Sequence, residues 1–510
     1  MSTLREKKKR RLRIFIVIAA LLAAALAVLL IWRPFDKAAP PDAETTASPA
    51  GLESPSSVSE SPASSVSPAA SETPAHSPEQ AALSLYEAVI TVDAKEELLL
   101  GKLRLTYVNR YADSLFTVVM NLFPNAVSED CLALETVTVD GLDADYTLSA
   151  DGAHLTIPLA HELKTGESAP IYIEYIIRIP KTDNRFGAGD GRFMFGNSIP
   201  IAAVYESGAW RADAYYLKGD SFYSEVADYR VSISAPEAYA LACTGSVEEE
   251  KTENGITTVL AAARGVRDFA FSLQKNAYVA TREVNGVEVV GISDTQKGAT
   301  FAAGSGADAL RFFSEKLCAY PYGRLCVVGF DTGGGMEYPG LVMIDASLLS
   351  GSVKIQQYTA MTVAHEVAHQ WFYGIVGSDQ LKEPWVDESL VDFLGFEFIR
   401  ETTQDEIYTS LWNQTFQGFE SYQRTFRLDA PLSSFPDGTS DYFYVIYAYG
   451  AHMMRELYES VGEDVFYDAL QNYIGEHSYQ NAKGSDLIAA FSEAAGKDMA
   501  PWFEERIAVN

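Results

Sequence analysis

His365, Glu366 and His369 stand in QQYTAMTVAHEVAHQWFYG, residues 356–374, a run of good helix-forming spacing that ends on a glycine. Four residues apart, the two imidazoles share one helical face, and Glu366 sits beside the first, within reach of a water on a metal held there. Two imidazoles need a third ligand. Glu388, nineteen residues after His369 in WVDESLVDF, offers a carboxylate on what reads as the next helix, beyond the loop GIVGSDQLKEP.

Two neutral histidines and one carboxylate leave a fourth position of Zn²⁺ open, which makes hydroxide available at neutral pH by bringing the pKa of water to about 7. The expected cofactor is therefore one Zn²⁺ per chain, bound by His365, His369 and Glu388. HExxH alone also occurs by chance on core helices; the position of Glu388 and the exported context described below argue against that reading. Asp392, four residues after Glu388, could accept from a ligand imidazole or lie on a solvated face, and it is left outside the catalytic set. His452 reads as a packed or surface histidine, while His76, His154, His161 and His477 have no metal-like spacing. Upstream, GGGMEYPGLVM, residues 333–343, is either a tight turn or a strip of backbone laid open for a substrate, and local spacing does not choose.

The elements that must position these groups follow from pattern. From about residue 83, KLRLTYV, LFTVVMNLF, HLTIPL, IYIEYIIRI, YRVSISAP and REVNGVEVVGI alternate with a period of two and predict an all-β domain over 83–294. Over 295–510 the period shifts toward helix, with RLCVVGF and GLVMID as short strands flanking the glycines. With 47% apolar and 12% aromatic residues in 510, packed cores are expected. Four scattered cysteines set no disulfide framework.

Charge bounds the partners. The first thirteen residues, MSTLREKKKRRLR, are basic, whereas residues 14–510 carry a formal charge of −36, which argues against nucleic acid as a partner. Residues 14–32, IFIVIAALLAAALAVLLIW, are long enough to cross about 30 Å of hydrocarbon as a helix. The basic head puts the N-terminus in the cytoplasm and the rest outside, anchored in membrane lipid by a single pass. A cleaved signal peptide is the rival reading and gives the same export. Residues 33–82, rich in Pro, Ser and Ala, read as a disordered tether.

HEVAHQWFYG followed by WVDESL resembles the aminopeptidase N family of zinc gluzincin peptidases, and the likeness extends over about 83–505, including GDSFYSEVADYRVSISAP and VRDFAFSL. It implies an α+β multidomain fold: an N-terminal all-β saddle-like domain, then a thermolysin-like, mostly α-helical catalytic domain with a small sheet. It implies that GGMEY, with Gly334, Gly335, Met336 and Glu337, is the cleft's edge strand, its backbone pairing with the peptide and Glu337 binding a free α-amine. Tyr338 departs from the family's usual Asn, and Pro339 follows it. A family tyrosine that donates to the oxyanion is matched best by Tyr447 in DYFYVIYAYGAHMM, with Tyr442, Tyr444 and Tyr449 nearby. The family's large C-terminal helical domain has no counterpart in this sequence. The expectation is a membrane-anchored, extracellular zinc aminopeptidase acting on peptides with a free N-terminus, with Glu366 as general base. A zinc endopeptidase or other zinc hydrolase with an open cleft would keep His365, Glu366, His369 and Glu388 without needing Glu337, and a noncatalytic peptide-binding module should have lost at least one of these groups, all of which are present.

Overall fold

The computed structural model describes residues 82–182, 185–189, 191–331, 334–349 and 355–509. The basic segment at 1–13, the anchor at 14–32 and the tether at 33–82, save its last residue, lie outside that set. Among the described residues no helix is long and apolar enough to cross a membrane.

Alternation builds the N-terminal, β-rich half. Every second residue of Leu85–Asp93 is buried, and Leu98–Val108 repeats the pattern, so one face of each strand feeds a core holding Ile90, Leu103 and Leu105. Both strands belong to an eight-stranded sheet ordered Ser246–Glu253, Ile256–Val266, Ala227–Pro236, Leu85–Asp93, Leu98–Val108, Ser168–Arg178, Leu132–Val139 and Leu142–Asp143. Its pairings are antiparallel apart from Leu85–Asp93 with Ala227–Pro236. Two four-stranded sheets accompany it.

The second half is helical around a five-stranded sheet ordered Tyr278–Val284, Val287–Ser293, Arg324–Phe330, Leu341–Asp345 and Gly335–Met336. REVNGVEVVGI, which period alone places with the β domain, enters this sheet instead: Val287–Ser293 runs parallel to Arg324–Phe330. A period of two reveals a strand without saying which sheet it joins. The helix Gln296–Lys316 lies against the sheet so closely that a Cβ on Gly291 would fall 2.2 Å from the Ala299 carbonyl oxygen.

Two helices carry the residues of interest. The first ligand helix runs Gln356–Ala368 with His369 as its cap, ending short of the expected Gly374. Past His369 the ladder changes register: the N–H groups of Gly374 and Ile375 bond five residues back, to the carbonyls of His369 and Gln370, and Tyr373 takes a φ of 120°. The second ligand helix, Glu388–Thr402, is capped by Asp387, whose carboxylate accepts the Glu388 N–H at 2.8 Å. Gly395 lets the pair pack closely, since a methyl there would come within 3.4 Å of His365 Cβ.

Candidate metal centre and cleft

Helical spacing brings the predicted ligands together. His365 and His369 present imidazoles whose ring centres are 5.0 Å apart, and Glu388 reaches them from the first turn of the second ligand helix. Its Oε2 lies 3.4 Å from His365 Nε2 and 3.5 Å from His369 Nε2. All three residues are buried, and their donor atoms lie within 4.8 Å of one another. The outer ring nitrogens are also held: His365 Nδ1 faces Asp392 Oδ1 at 3.2 Å, and His369 Nδ1 faces the Phe372 carbonyl at 3.0 Å. The early exit from the first ligand helix is what returns that carbonyl to the ring. Asp392 thus orients a ligand imidazole rather than lying on a solvated face.

These residues fit a zinc ion. Glu388 Oε2 is shut from water and has no hydrogen-bond partner among the described residues, a costly state for a carboxylate unless a cation occupies the space before it. Tetrahedral bonds of about 2.0–2.1 Å place donors about 3.3–3.4 Å apart, close to the separations found. Charge agrees as well. Among the described residues, the cavity of about 360 Å³ is lined by five carboxylates, Asp220, Glu337, Glu366, Glu388 and Asp392, with Arg185 as the one permanent cation. Burial opposes protonation of His369, yet Glu337 and Glu388 outweigh it and lift the imidazole to about 10. Burial likewise lifts Glu366 to about 7, with His365 and His369 pulling the other way.

The edge strand meets the helix at Gly335 and Glu366. A Cβ on Gly335 would fall 2.0 Å from Glu366 Oε1, so glycine is needed for the carboxylate itself to fit, whereas a Cβ on Gly334 meets nothing within 4 Å. Gly334, Gly335 and Glu337 line the cavity, while Met336 turns into the core opposite Met343. Glu337, Glu366 and His369 bring polar atoms within 4.8 Å of one another. Gln380 Nε2 donates to Glu337 Oε1 at 3.1 Å, and Gln370 Nε2 donates to the Glu337 and Tyr338 carbonyls at 3.3 and 3.2 Å. Tyr338 points away into the β-rich half, where its hydroxyl donates to Asn197 Oδ1 at 2.9 Å.

Of the four candidate tyrosines only Tyr447 lines the cavity, its ring stacked 6.2 Å from that of His365. Tyr442 packs beneath it at 5.7 Å, Tyr444 stacks on Tyr422, and the Tyr449 hydroxyl donates to the Arg506 carbonyl at 2.8 Å. The segment Phe443–Tyr449 is a π-helical turn. His452 stacks on Phe419 at 4.4 Å, away from the centre.

Sequence reasoning missed one wall. Arg185 Nη1 donates to Asp220 Oδ1 at 2.6 Å, and its Nη2 donates to the Gly219 carbonyl at 3.0 Å. Burial pushes the Asp220 carboxyl well up, Glu337 and Glu388 adding to this and Arg185 opposing it. Gly219 holds the corner with a φ of 60°, and a Cβ there would lie 2.7 Å from Tyr442 Oη. Neither Arg185 nor Asp220 has ligand-like spacing; Asp220 falls in GDSFYSEVADYRVSISAP, but that likeness gave it no role.

Two buried imidazoles and a buried carboxylate, with a further carboxylate on the same helix, form the donor set of a metallopeptidase. Residues 301–505 match the Peptidase family M1 domain. Aminopeptidase N of Streptomyces lividans is 30% identical over 209 residues, covering 38% of this chain and 24% of that protein. Aminopeptidase 2 of Candida albicans is 29% identical over 232 residues, covering 42% and 24%. Aminopeptidase N of Lactobacillus delbrueckii subsp. lactis is 24% identical over 412 residues, covering 74% and 47%. These matches support the M1 aminopeptidase family, and they span about a quarter to a half of each relative's own length.

Proposed function

We propose that the chain is a zinc aminopeptidase that removes N-terminal residues from peptides. The observation that carries this is the buried apposition of Glu337 to the His365, His369 and Glu388 centre, with polar atoms of Glu337, Glu366 and His369 within 4.8 Å of one another. Bound to the trio, Zn²⁺ supplies a Lewis acid that polarises a carbonyl and acidifies water. Glu366 takes the proton of the attacking water and delivers it to the leaving amine. Tyr447, beside His365, donates to the developing oxyanion. Glu337, held by Gln380, binds the substrate ammonium and so sets the first peptide bond at the reacting centre. The edge position of Gly335–Met336 leaves backbone free to pair with an extended peptide.

The test is one peptide in free-amine and N-acetylated forms, followed by mass spectrometry, with Glu366→Gln and a chelator-treated sample as controls. Stepwise loss of residues from the free form alone, abolished in both controls, is expected. Internal cuts in both forms would instead make the protein an endopeptidase and remove the role given to Glu337.

A further inference from the structure

The catalytic cavity does not end at the zinc centre. Its wall runs along one stripe of the first ligand helix through His369, His365, Thr362, Met361 and Tyr358. Glu337 lies at the His369 end of the stripe. Tyr358 stands eleven residues earlier, about 16 Å away at a rise of 1.5 Å per residue. Tyr358 and Thr415 also line a second open cavity of about 550 Å³, walled by Ile407, Ser410, Leu411 and Gln414 of the helix Asp405–Thr415.

We propose that this second cavity binds the downstream part of an extended peptide substrate, so that the site takes oligopeptides in preference to dipeptides. The inference rests on the aminopeptidase reading for its direction: with the amine at Glu337 and the first carbonyl at the zinc centre, the remaining chain must run toward Tyr358. From His365 to Tyr358 is about 10 Å of helix, which three extended residues cover at about 3.3 Å each. The third or fourth residue of the substrate then enters between Tyr358 and Thr415. Thr415 lines both cavities and so marks the passage between them. The chemistry also changes along the path: among the described residues five carboxylates line the first cavity, whereas Glu406 is the only charged group lining the second. Beyond the ammonium, the site therefore favours neutral and apolar side chains.

The experiment measures kcat/KM on peptides that share their first two residues and extend from two to six, for the unmodified protein and for Ser410→Trp and Gln414→Trp. Both positions are exposed on their helix, so the added rings occupy the cavity without entering a core. Expected is a gain with length up to about four residues, and a fall of about tenfold in the long-to-short ratio in each variant. No gain with length, or equal losses on short and long peptides, would overturn the proposal. N-acetylated peptides separate the two readings. If they are cut internally, the aminopeptidase reading fails, while the length effect and its loss in Ser410→Trp still judge the cavity. Fluorescence anisotropy of a labelled hexapeptide on Glu366→Gln reads the cavity without cleavage, and unchanged affinity in the added presence of Ser410→Trp would sink the proposal there too.

Discussion

Gly335 and Glu366 compete for one volume, and glycine yields it to the carboxylate. Gly335→Ala must therefore displace Glu366 by the width of a methyl group, and a misplacement of about 1 Å costs about a hundredfold in rate. The expected result is a fall of that order in kcat with little change in Tm, read by steady-state kinetics and thermal unfolding; near-normal turnover would show that Glu366 has another resting place. Residue type and spacing made His365, Glu366 and His369 legible, because helix periodicity turns a spacing of four into a shared face, and the need for a third ligand led on to Glu388 on the next helix. Asp392 was legible only as a choice between two roles, since spacing puts it near the ligands without saying which way it points. Arg185 was not legible, and Asp220 entered only within the GDSFYSEVADYRVSISAP likeness with no role attached, because bonds such as those of Arg185 to the Asp220 carboxylate and the Gly219 carbonyl leave no periodic trace.

At the scale of elements, helix Gly450–Val461 docks through His452 onto Trp412 of the helix Asp405–Thr415, ring centres 4.8 Å apart, and onto Phe419 just beyond it. Burial, reinforced by Arg455, pushes the imidazole down to about 4. The unfolded chain binds this proton below about 6.5 and the folded chain does not until about 4, so stability is fully present above the first value and is lost as pH falls toward the second. His452→Phe should flatten that loss, as read from urea unfolding at pH 7 and pH 5; an unchanged slope would assign it to other groups. Strands and helices were recognisable from their periods. Their partners were less so: Val287–Ser293 looks like its β-rich neighbours yet pairs with Arg324–Phe330, and the π-helical turn at Phe443–Tyr449 breaks the 3.6-residue register, leaving resemblance to single out Tyr447.

At the largest scale, Arg267 ties distant segments of the described residues together, buried among their acceptors. It donates to the carbonyls of Tyr373 at 2.6 Å, Ser224 at 2.9 Å and Gln480 at 2.5 Å, and to Asn481 Oδ1. Arg267→Met would leave these acceptors unsatisfied at a cost of roughly 3–5 kcal/mol, measurable by denaturant titration. A loss under about 1 kcal/mol would show that water replaces the guanidinium freely. Arg267 and the Arg185–Asp220 wall both come from outside residues 301–505, although the metal ligands and three of the four acceptors of Arg267 lie within them. A nascent or partly unfolded chain can thus carry every metal ligand and still lack a finished cleft. The cleft is complete only when the segments bearing Arg185, Asp220 and Arg267 have met the helical half that carries the ligands.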